Sequence, residues 1–70
     1  MTNLALILGL LPEAFTAVDA ALGHVPVKSL NALRSEVRLW RDERHPHLTD
    51  LDCERLARCL NRNFYALEEA

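Results

Sequence analysis

The segment from Val27 to Arg44 carries two kinds of residue that recur with the period of an α-helix. Apolar residues return at spacings of three, four and three, and arginines return at spacings of four and three. The apolar set is Leu30, Leu33, Val37 and Trp40, and the basic set is Arg34, Arg38 and Arg41. At about 100° per residue, the two sets form neighbouring stripes on one helix. We therefore predict an amphipathic helix whose apolar seam is bordered by guanidinium groups.

The chain is so short that this helix must belong to one small domain. Its 70 residues make a single domain, 1–70, and a chain of this size buries only about 60% of its unfolded surface. Half of the residues are apolar but only 6% are aromatic, so we expect a core of Leu and Ala, which favour helix over sheet. Two glycines and three prolines leave little material for the turns of a β fold. The composition predicts an all-α fold.

The N-terminal segment predicts a helix that is broken by a proline. Almost every residue from Leu4 to Leu11 is apolar, and Pro12 is expected to end the helix or to start a new one. Gly23 stands where the residue after a helix C-terminus is expected. The run Leu4–Leu11 is too short to span a membrane and lacks the positive charge of a signal peptide. We expect a cytoplasmic protein without membrane contact.

Two further helices are predicted to form an antiparallel hairpin. Pro26 can start the second helix, which should end near Arg44 because a proline follows two residues later. Thr49 and Asp52 have the spacing of a capping box at the start of the third helix. One face of that helix is apolar, with Cys53, Leu56, Ala57, Leu60, Phe64 and Leu67. The opposite face is basic, with Arg55, Arg58 and Arg62.

The apolar N-terminal run also predicts contact with another chain. It is hydrophobic around its full circumference, and a domain of 70 residues has too little protein to cover every side. We expect self-association as a homodimer, or contact with a partner, and the alternative is a monomer that encloses the run. The residues expected to mediate self-association are Leu6, Ile7 and Leu10.

The cysteines and histidines do not indicate a disulfide or a metal site. Cys53 and Cys59 lie six residues apart on one predicted helix, which separates their Cα atoms by about 9 Å. A disulfide requires a separation below roughly 7 Å. His45 and His47 come shortly before them, but the spacing matches no usual zinc pattern. We expect reduced cysteines, no metal and no cofactor.

No motif in the sequence indicates catalysis. The chain has no glycine-rich phosphate loop, and its Ser, His and acidic residues follow no recognisable catalytic spacing. A chain this short also offers little room for a substrate pocket. We therefore expect a protein that is not an enzyme.

The arginine stripe and the single tryptophan favour binding to a larger protein. Trp and Arg are the residue types in which the binding energy of interfaces concentrates. The expected contact residues are Arg34, Arg38, Trp40, Arg41 and Arg44. Small helical chains are often modulators or inhibitors of a larger machine, such as phage-type regulators of the host transcription apparatus, an expectation that rests on size and class alone. The alternatives are a solvated arginine face with local ion pairs and a core position for Trp40.

A DNA-binding helix-turn-helix is the second interpretation. The segment Ala20–Leu30 resembles such a unit, because one helix ends in Leu-Gly and another opens with polar residues after a short turn. The residues that would face the groove of DNA are Lys28, Ser29, Asn31, Arg34 and Ser35. The net charge of −2 opposes nonspecific binding to phosphates, and His24 makes the turn one residue longer than the common pattern.

Overall fold

The fold consists of three α-helices followed by a short π-helical turn. The computed structural model describes residues 4–23 and 29–68. The helices are α1 (Leu4–Ala21), α2 (Leu30–Arg44) and α3 (Asp50–Leu60), and the π-helical turn spans Asn61–Tyr65. The described ranges contain no β-strand, so the prediction of an all-α fold is confirmed.

The helices pack against one another around an aliphatic core. Helices α2 and α3 form the predicted hairpin, which residues 45–49 connect. Helix α1 runs antiparallel to α2, because Glu13 contacts His45 at one end while Ala21 and Glu36 line the same surface cavity further along. The predicted seam of α2 faces inward, as expected for an apolar stripe. The buried hydrophobic residues are Ile7, Ala14, Val18, Leu33, Val37, Trp40, Leu48, Cys53, Leu56, Ala57 and Leu60.

Helix α1 continues through Pro12, so the predicted break at this residue is wrong. The helix has 18 residues, and Pro12 lies inside it. Proline lacks the N–H that would bond the carbonyl of Leu8, but both residues are exposed, where water can reach the backbone. The Thr16 hydroxyl donates a hydrogen bond to the Pro12 carbonyl at 3.0 Å. Burial of Ile7 on one side of Pro12 and Ala14 on the other anchors both halves to the core.

The continuous helix also changes the expectation about membranes. Helix α1 is long and apolar enough to cross a membrane by length and composition, with a mean hydropathy of 1.7. The core helix of a soluble protein passes the same test, so this is weak evidence. The expectation that a break at Pro12 makes the apolar segment too short no longer holds.

We predict that Pro12→Ala stabilises the protein, because alanine restores the missing backbone hydrogen bond inside α1. The expected gain is roughly 1–3 kcal/mol, after the lower chain entropy of unfolded proline is subtracted. Urea unfolding followed by the fluorescence of Trp40 measures it. Gly9→Ala is the matched control, since Gly9 is also exposed in α1 and an added Cβ meets nothing within 4 Å. A loss of stability in Pro12→Ala would contradict a continuous helix.

Helix α2 begins later than predicted. Ser29 has an extended conformation, and its side chain accepts a hydrogen bond from the N–H of Ala32 at 3.2 Å. The N-cap therefore lies at Ser29, and the helix starts at Leu30 rather than at Pro26, which lies outside the described residues. The predicted end at Arg44 is confirmed.

The predicted glycine at the end of α1 and the predicted capping box at the start of α3 are both confirmed. Gly23 follows α1 with a φ of +67°, the left-handed conformation that glycine adopts without strain. At the start of α3, the Thr49 hydroxyl accepts from the N–H of Asp52 at 3.1 Å, and the Asp52 carboxylate accepts from the N–H of Thr49 at 3.0 Å. This reciprocal pair is a capping box, and it fixes the point where the hairpin connection becomes α3.

The end of the chain departs from the predicted apolar face. Four residues of that face are buried as expected (Cys53, Leu56, Ala57 and Leu60). The N–H of Ala66 bonds the carbonyl of Asn61, an i to i+5 bond that widens the turn and shifts the face that follows. Phe64 is consequently exposed rather than buried, and its ring stacks on Phe15 with 3.9 Å between the centroids.

A buried asparagine holds this terminal segment in place. Asn61 is 2% exposed, and its amide Nδ2 donates to the Leu67 carbonyl at 2.9 Å. The N–H of Leu67 donates to Oδ1 of Asn61 at 2.7 Å. The amide therefore satisfies both backbone groups of Leu67, as a buried polar side chain must.

We predict that Asn61→Ala destabilises the protein by about 1–3 kcal/mol, because two backbone groups of Leu67 lose their partner. Urea unfolding at neutral pH measures the change. Asn63→Ala serves as the control, since Asn63 is exposed and makes a single bond to the Cys59 carbonyl. The control should stay within about 0.5 kcal/mol of the parent. Equal effects of the two substitutions would refute the role given to Asn61.

Candidate functional site

The first arginine of the predicted stripe is bound to the third helix. Nε and Nη2 of Arg34 donate to the two carboxylate oxygens of Glu54, each at 2.7 Å. Arg58 donates to the same carboxylate at 3.1 Å. The hydrogen bonds from Arg34 are the main reason that the pKa of Glu54 lies below its ordinary value; burial opposes them, and the hydrogen bond from Arg58 adds a smaller lowering effect. The bidentate pair joins α2 to α3 in a fixed relative orientation.

Arg41 is engaged at the other end of the hairpin. Its Nη1 donates to the Leu48 carbonyl at 3.0 Å, and its Nη2 contacts Asp50 at 3.1 Å. Its Nε donates to Asp42 at 2.7 Å. The side chain is only 15% exposed, because it folds over the connection between α2 and α3. Arg41 therefore stabilises the turn of the hairpin rather than pointing away from it.

The predicted stripe is thus not a free row of guanidinium groups. Arg34 and Arg41 are used inside the fold, and Arg38 between them is exposed with no ion-pair partner among residues 4–23 and 29–68. The alternative expectation, local ion pairs along this face, describes Arg34 and Arg41 better than a docking surface does. The ion pairs that Arg34 and Arg41 make with Glu54 and Asp50 are not local, however, because they connect α2 to α3.

We predict that Glu54→Gln destabilises the protein by about 1 kcal/mol at pH 7, because it removes the charge that Arg34 and Arg58 hold. The folded pKa of Glu54 is lowered, so its stabilisation is complete above the unfolded pKa of about 4.3 and is lost as the pH falls through the folded value. The difference between parent and variant should therefore shrink as the pH falls below about 4.3 and vanish once Glu54 is protonated in the folded protein.

Urea unfolding across this pH range measures that difference, with Glu43→Gln as the control. Glu43 is exposed and has no ion-pair partner in the described part of the chain, so its substitution should leave the stability nearly unchanged at every pH. A gap between parent and Glu54→Gln that does not narrow as the pH falls below about 4.3 would rule out the ion pair as its source.

The residues named for DNA binding are also largely committed to the fold. The Ser29 hydroxyl caps α2, and the Asn31 side-chain oxygen accepts from Nη1 of Arg34 at 3.1 Å. Arg34 is bound to Glu54, as described above. Lys28 lies outside the described residues. Of this set, Ser35 alone is exposed without a hydrogen bond to the described residues.

Trp40 lies on the apolar stripe of α2, next to the arginine stripe. Its side chain belongs to the core and is 5% exposed, which agrees with the alternative expectation of a core position. The ring packs at 4.9 Å from the ring of His45, whose Nε2 lies 2.8 Å from a carboxylate oxygen of Glu13. The indole N–H is buried and has no acceptor among the described residues.

Two adjoining cavities on the surface between α1 and α2 form a groove, which we call the α1–α2 groove. They enclose about 580 Å³ and about 210 Å³. Both are lined by Ala17, Trp40 and Arg44, and the nearly buried ring of Trp40 forms the floor. The larger cavity is completed by Pro12, Glu13, Thr16 and Ala20, and the smaller one by Ala21, Glu36, Leu39 and Glu43.

The groove combines an apolar interior with charged edges. Leu39 is 57% exposed beside the smaller cavity. Glu36 and Glu43 lie three residues before and four residues after it, and within the described ranges neither has an ion-pair partner. Arg44 is exposed at the same end of α2. Such a surface offers hydrophobic contact and charge to a partner.

The residues predicted for self-association differ in their exposure to solvent. Glu13 contacts His45 just past α2, so the preceding residues Leu4–Leu11, about 12 Å of helix, extend beyond the end of α2. Ile7 on this segment is fully buried in the core and is not available to a second chain, which corrects that part of the prediction. Leu6 is exposed and Leu10 is half-buried. Self-association through these two residues stays a prediction.

The side chains of the groove do not form a recognisable catalytic or metal-binding arrangement. Among the described residues, no group of three His, Cys, Asp or Glu side chains converges on a common point. Cys53 is buried, which raises the pKa of its thiol, and neither it nor Cys59 forms a disulfide. The only hydroxyl lining the larger cavity belongs to Thr16, which donates to the Pro12 carbonyl.

Sequence reasoning identified Trp40 and Arg44 but missed the rest of the groove. Leu39 carries the signal that could have revealed it, because it is a large apolar residue off the buried stripe and has acidic residues at i−3 and i+4. The lining residues of α1 carry no such signal. Ala17 and Ala20 are small residues on a mostly apolar helix, and only the packing of α1 against α2 places them in the groove.

No protein-family model, curated protein or solved structure matches this chain. Relatives therefore offer no guide to its activity. The groove and the charges around it are the features from which a function can be inferred.

Proposed function

We propose that this protein is a small regulator without enzymatic activity that acts by binding another protein through the α1–α2 groove. The observation that carries the proposal is Leu39. This leucine is 57% exposed beside a cavity whose floor is the ring of Trp40, so apolar surface continues from the core to the outside. A large apolar residue next to a concave apolar surface is typical of a binding site.

The proposed contact surface keeps part of the predicted set and replaces the rest. Trp40 and Arg44 remain in it, because both line the two cavities. Arg34 and Arg41 leave it, since their ion pairs connect α2 to α3. Truncation of either would therefore act on stability before it acted on a partner. Arg38 is exposed and lines neither of the two cavities of the groove.

The small size of the chain favours a modulator of a larger machine over an independent function. A 70-residue chain presents a single modest surface, enough to occupy a site on a bigger protein and block or alter it. An inhibitor or modulator of a transcription apparatus, of the type that phages direct at their hosts, fits this description. That specific target is proposed from size and class alone.

We predict that Leu39→Glu abolishes binding to the partner without unfolding the protein, because it places a charge where apolar contact is needed. Tagged protein is incubated with a lysate of the source organism, and captured proteins are identified by mass spectrometry. Leu51→Glu is the matched control, since Leu51 is 55% exposed but lies on α3, away from the groove. Circular dichroism establishes that both variants remain helical.

The supporting result is a protein captured by the parent and by Leu51→Glu but not by Leu39→Glu. Equal capture by all three chains would refute the groove as the binding surface. A separate titration of the parent with random duplex DNA at low salt tests the helix-turn-helix alternative. Binding that weakens steeply as salt is raised would replace the proposed function with DNA recognition.

A further inference from the structure

We infer that the occupant of the α1–α2 groove is a basic amphipathic helix of the partner protein. This inference rests on the proposed function and specifies the chemistry of the partner. Three properties of the groove lead to it, namely its position between two helices, the small residues along one wall and the acidic residues along its edges.

The position of the groove suits a helix. Two antiparallel helices leave a furrow between them, and a third helix can lie in such a furrow with its axis about 8–10 Å from each neighbour. The α1 wall begins with Pro12, Glu13 and Thr16 and continues with three alanines (Ala17, Ala20 and Ala21). The short side chains of the alanines allow the backbone of an occupant to approach closely along that part. Leu39 and Trp40 on the α2 wall offer the larger apolar contacts.

The charges around the groove favour an occupant with positive charge. Three carboxylates border it (Glu13, Glu36 and Glu43) against one guanidinium, that of Arg44. Glu13 is already bonded to His45, whereas Glu36 and Glu43 have no ion-pair partner within residues 4–23 and 29–68. These two glutamates are seven residues apart, two turns of α2 on the same edge. Lysine or arginine at a similar spacing on an occupant would meet both.

A second copy of the chain matches the groove less well. Its uncharged apolar segment Leu4–Leu11 offers nothing to pair with the acidic edge. Arg55 of α3 and Arg62 of the π-helical turn are exposed and seven residues apart. However, α3 exposes one large apolar residue, Leu51, and the exposed ring of Phe64 in the turn is already stacked on Phe15. Contact between this surface and the groove would also be heterologous, and such contacts form open chains unless the rotation closes.

The test uses two synthetic helical peptides of about 15 residues, the length at which an isolated helix starts to form. Both carry leucine at positions i, i+3, i+4 and i+7, and they differ only in flanking residues, lysine in one and glutamate in the other. Trp40, the single tryptophan, reports binding by its fluorescence because it lines both cavities. We expect saturable binding of the lysine peptide and binding of the glutamate peptide roughly tenfold weaker or absent.

Charge reversal on the protein provides the matched comparison. Glu43→Lys should lower the affinity for the lysine peptide and raise the affinity for the glutamate peptide, each by roughly fivefold or more. Glu68→Lys changes the net charge equally but lies after the π-helical turn, so it should leave both affinities almost unchanged. Raising the salt concentration should reduce the preference of the parent for the lysine peptide.

Equal affinity for the two peptides, no response of Trp40 to either one, or an effect of Glu68→Lys as large as that of Glu43→Lys would overturn the inference. A Trp40 signal that depends on the concentration of the protein alone, with sedimentation showing assembly, would make a second copy the occupant. If Leu39→Glu abolishes partner capture but Glu43→Lys does not alter it, the proposed function stands and the basic occupant is refuted.

Discussion

Burial of the apolar seam sets the rotation of α2, and the bidentate ion pair between Arg34 and Glu54 holds the helix against α3 in that orientation. A helix is rigid enough that fixing one face fixes all of them. With Arg34 turned toward α3, Leu33 and Val37 point into the core. Leu39 then lies on the side facing α1, outside the apolar seam. Two arginines of the stripe that suggested a docking surface thus hold α2 against α3.

The helical period was sufficient to predict most of the fold. The seam of α2, the capping box at Thr49 and the left-handed Gly23 are local signals, and each is realised in the structure. The break expected at Pro12 failed because the cost of one missing hydrogen bond is local, whereas burial of Ile7 and Ala14 joins the two halves of α1 to a shared core. The π-helical turn was not predicted for a related reason. It is held by the reciprocal bonds of Asn61, which depend on contacts made only after folding.

The site was harder to predict than the fold because a groove belongs to two helices at once. Periodicity reports which face of a helix is apolar, but it does not report which neighbour covers that face. The sequence pointed to α2 and to Trp40, which line the candidate groove. It predicted that the arginines bind a partner or face solvent, because Glu54 and Asp50 lie far along the chain. Only the hairpin brings those carboxylates to the stripe. The walls contributed by α1 became visible with the packing of the helices.

Trp40 belongs to both the core and the floor of the α1–α2 groove, so the binding that we propose for this groove would be linked to folding. A partner that contacts this ring binds the folded chain and not the unfolded one. By mass action, such a partner at a concentration a hundredfold above its dissociation constant adds about 2.7 kcal/mol to the stability of the fold. For a chain of this size, that increment is a large part of the whole. The lifetime of the protein in a cell would then follow the abundance of its target, with proteolysis removing the copies that find none.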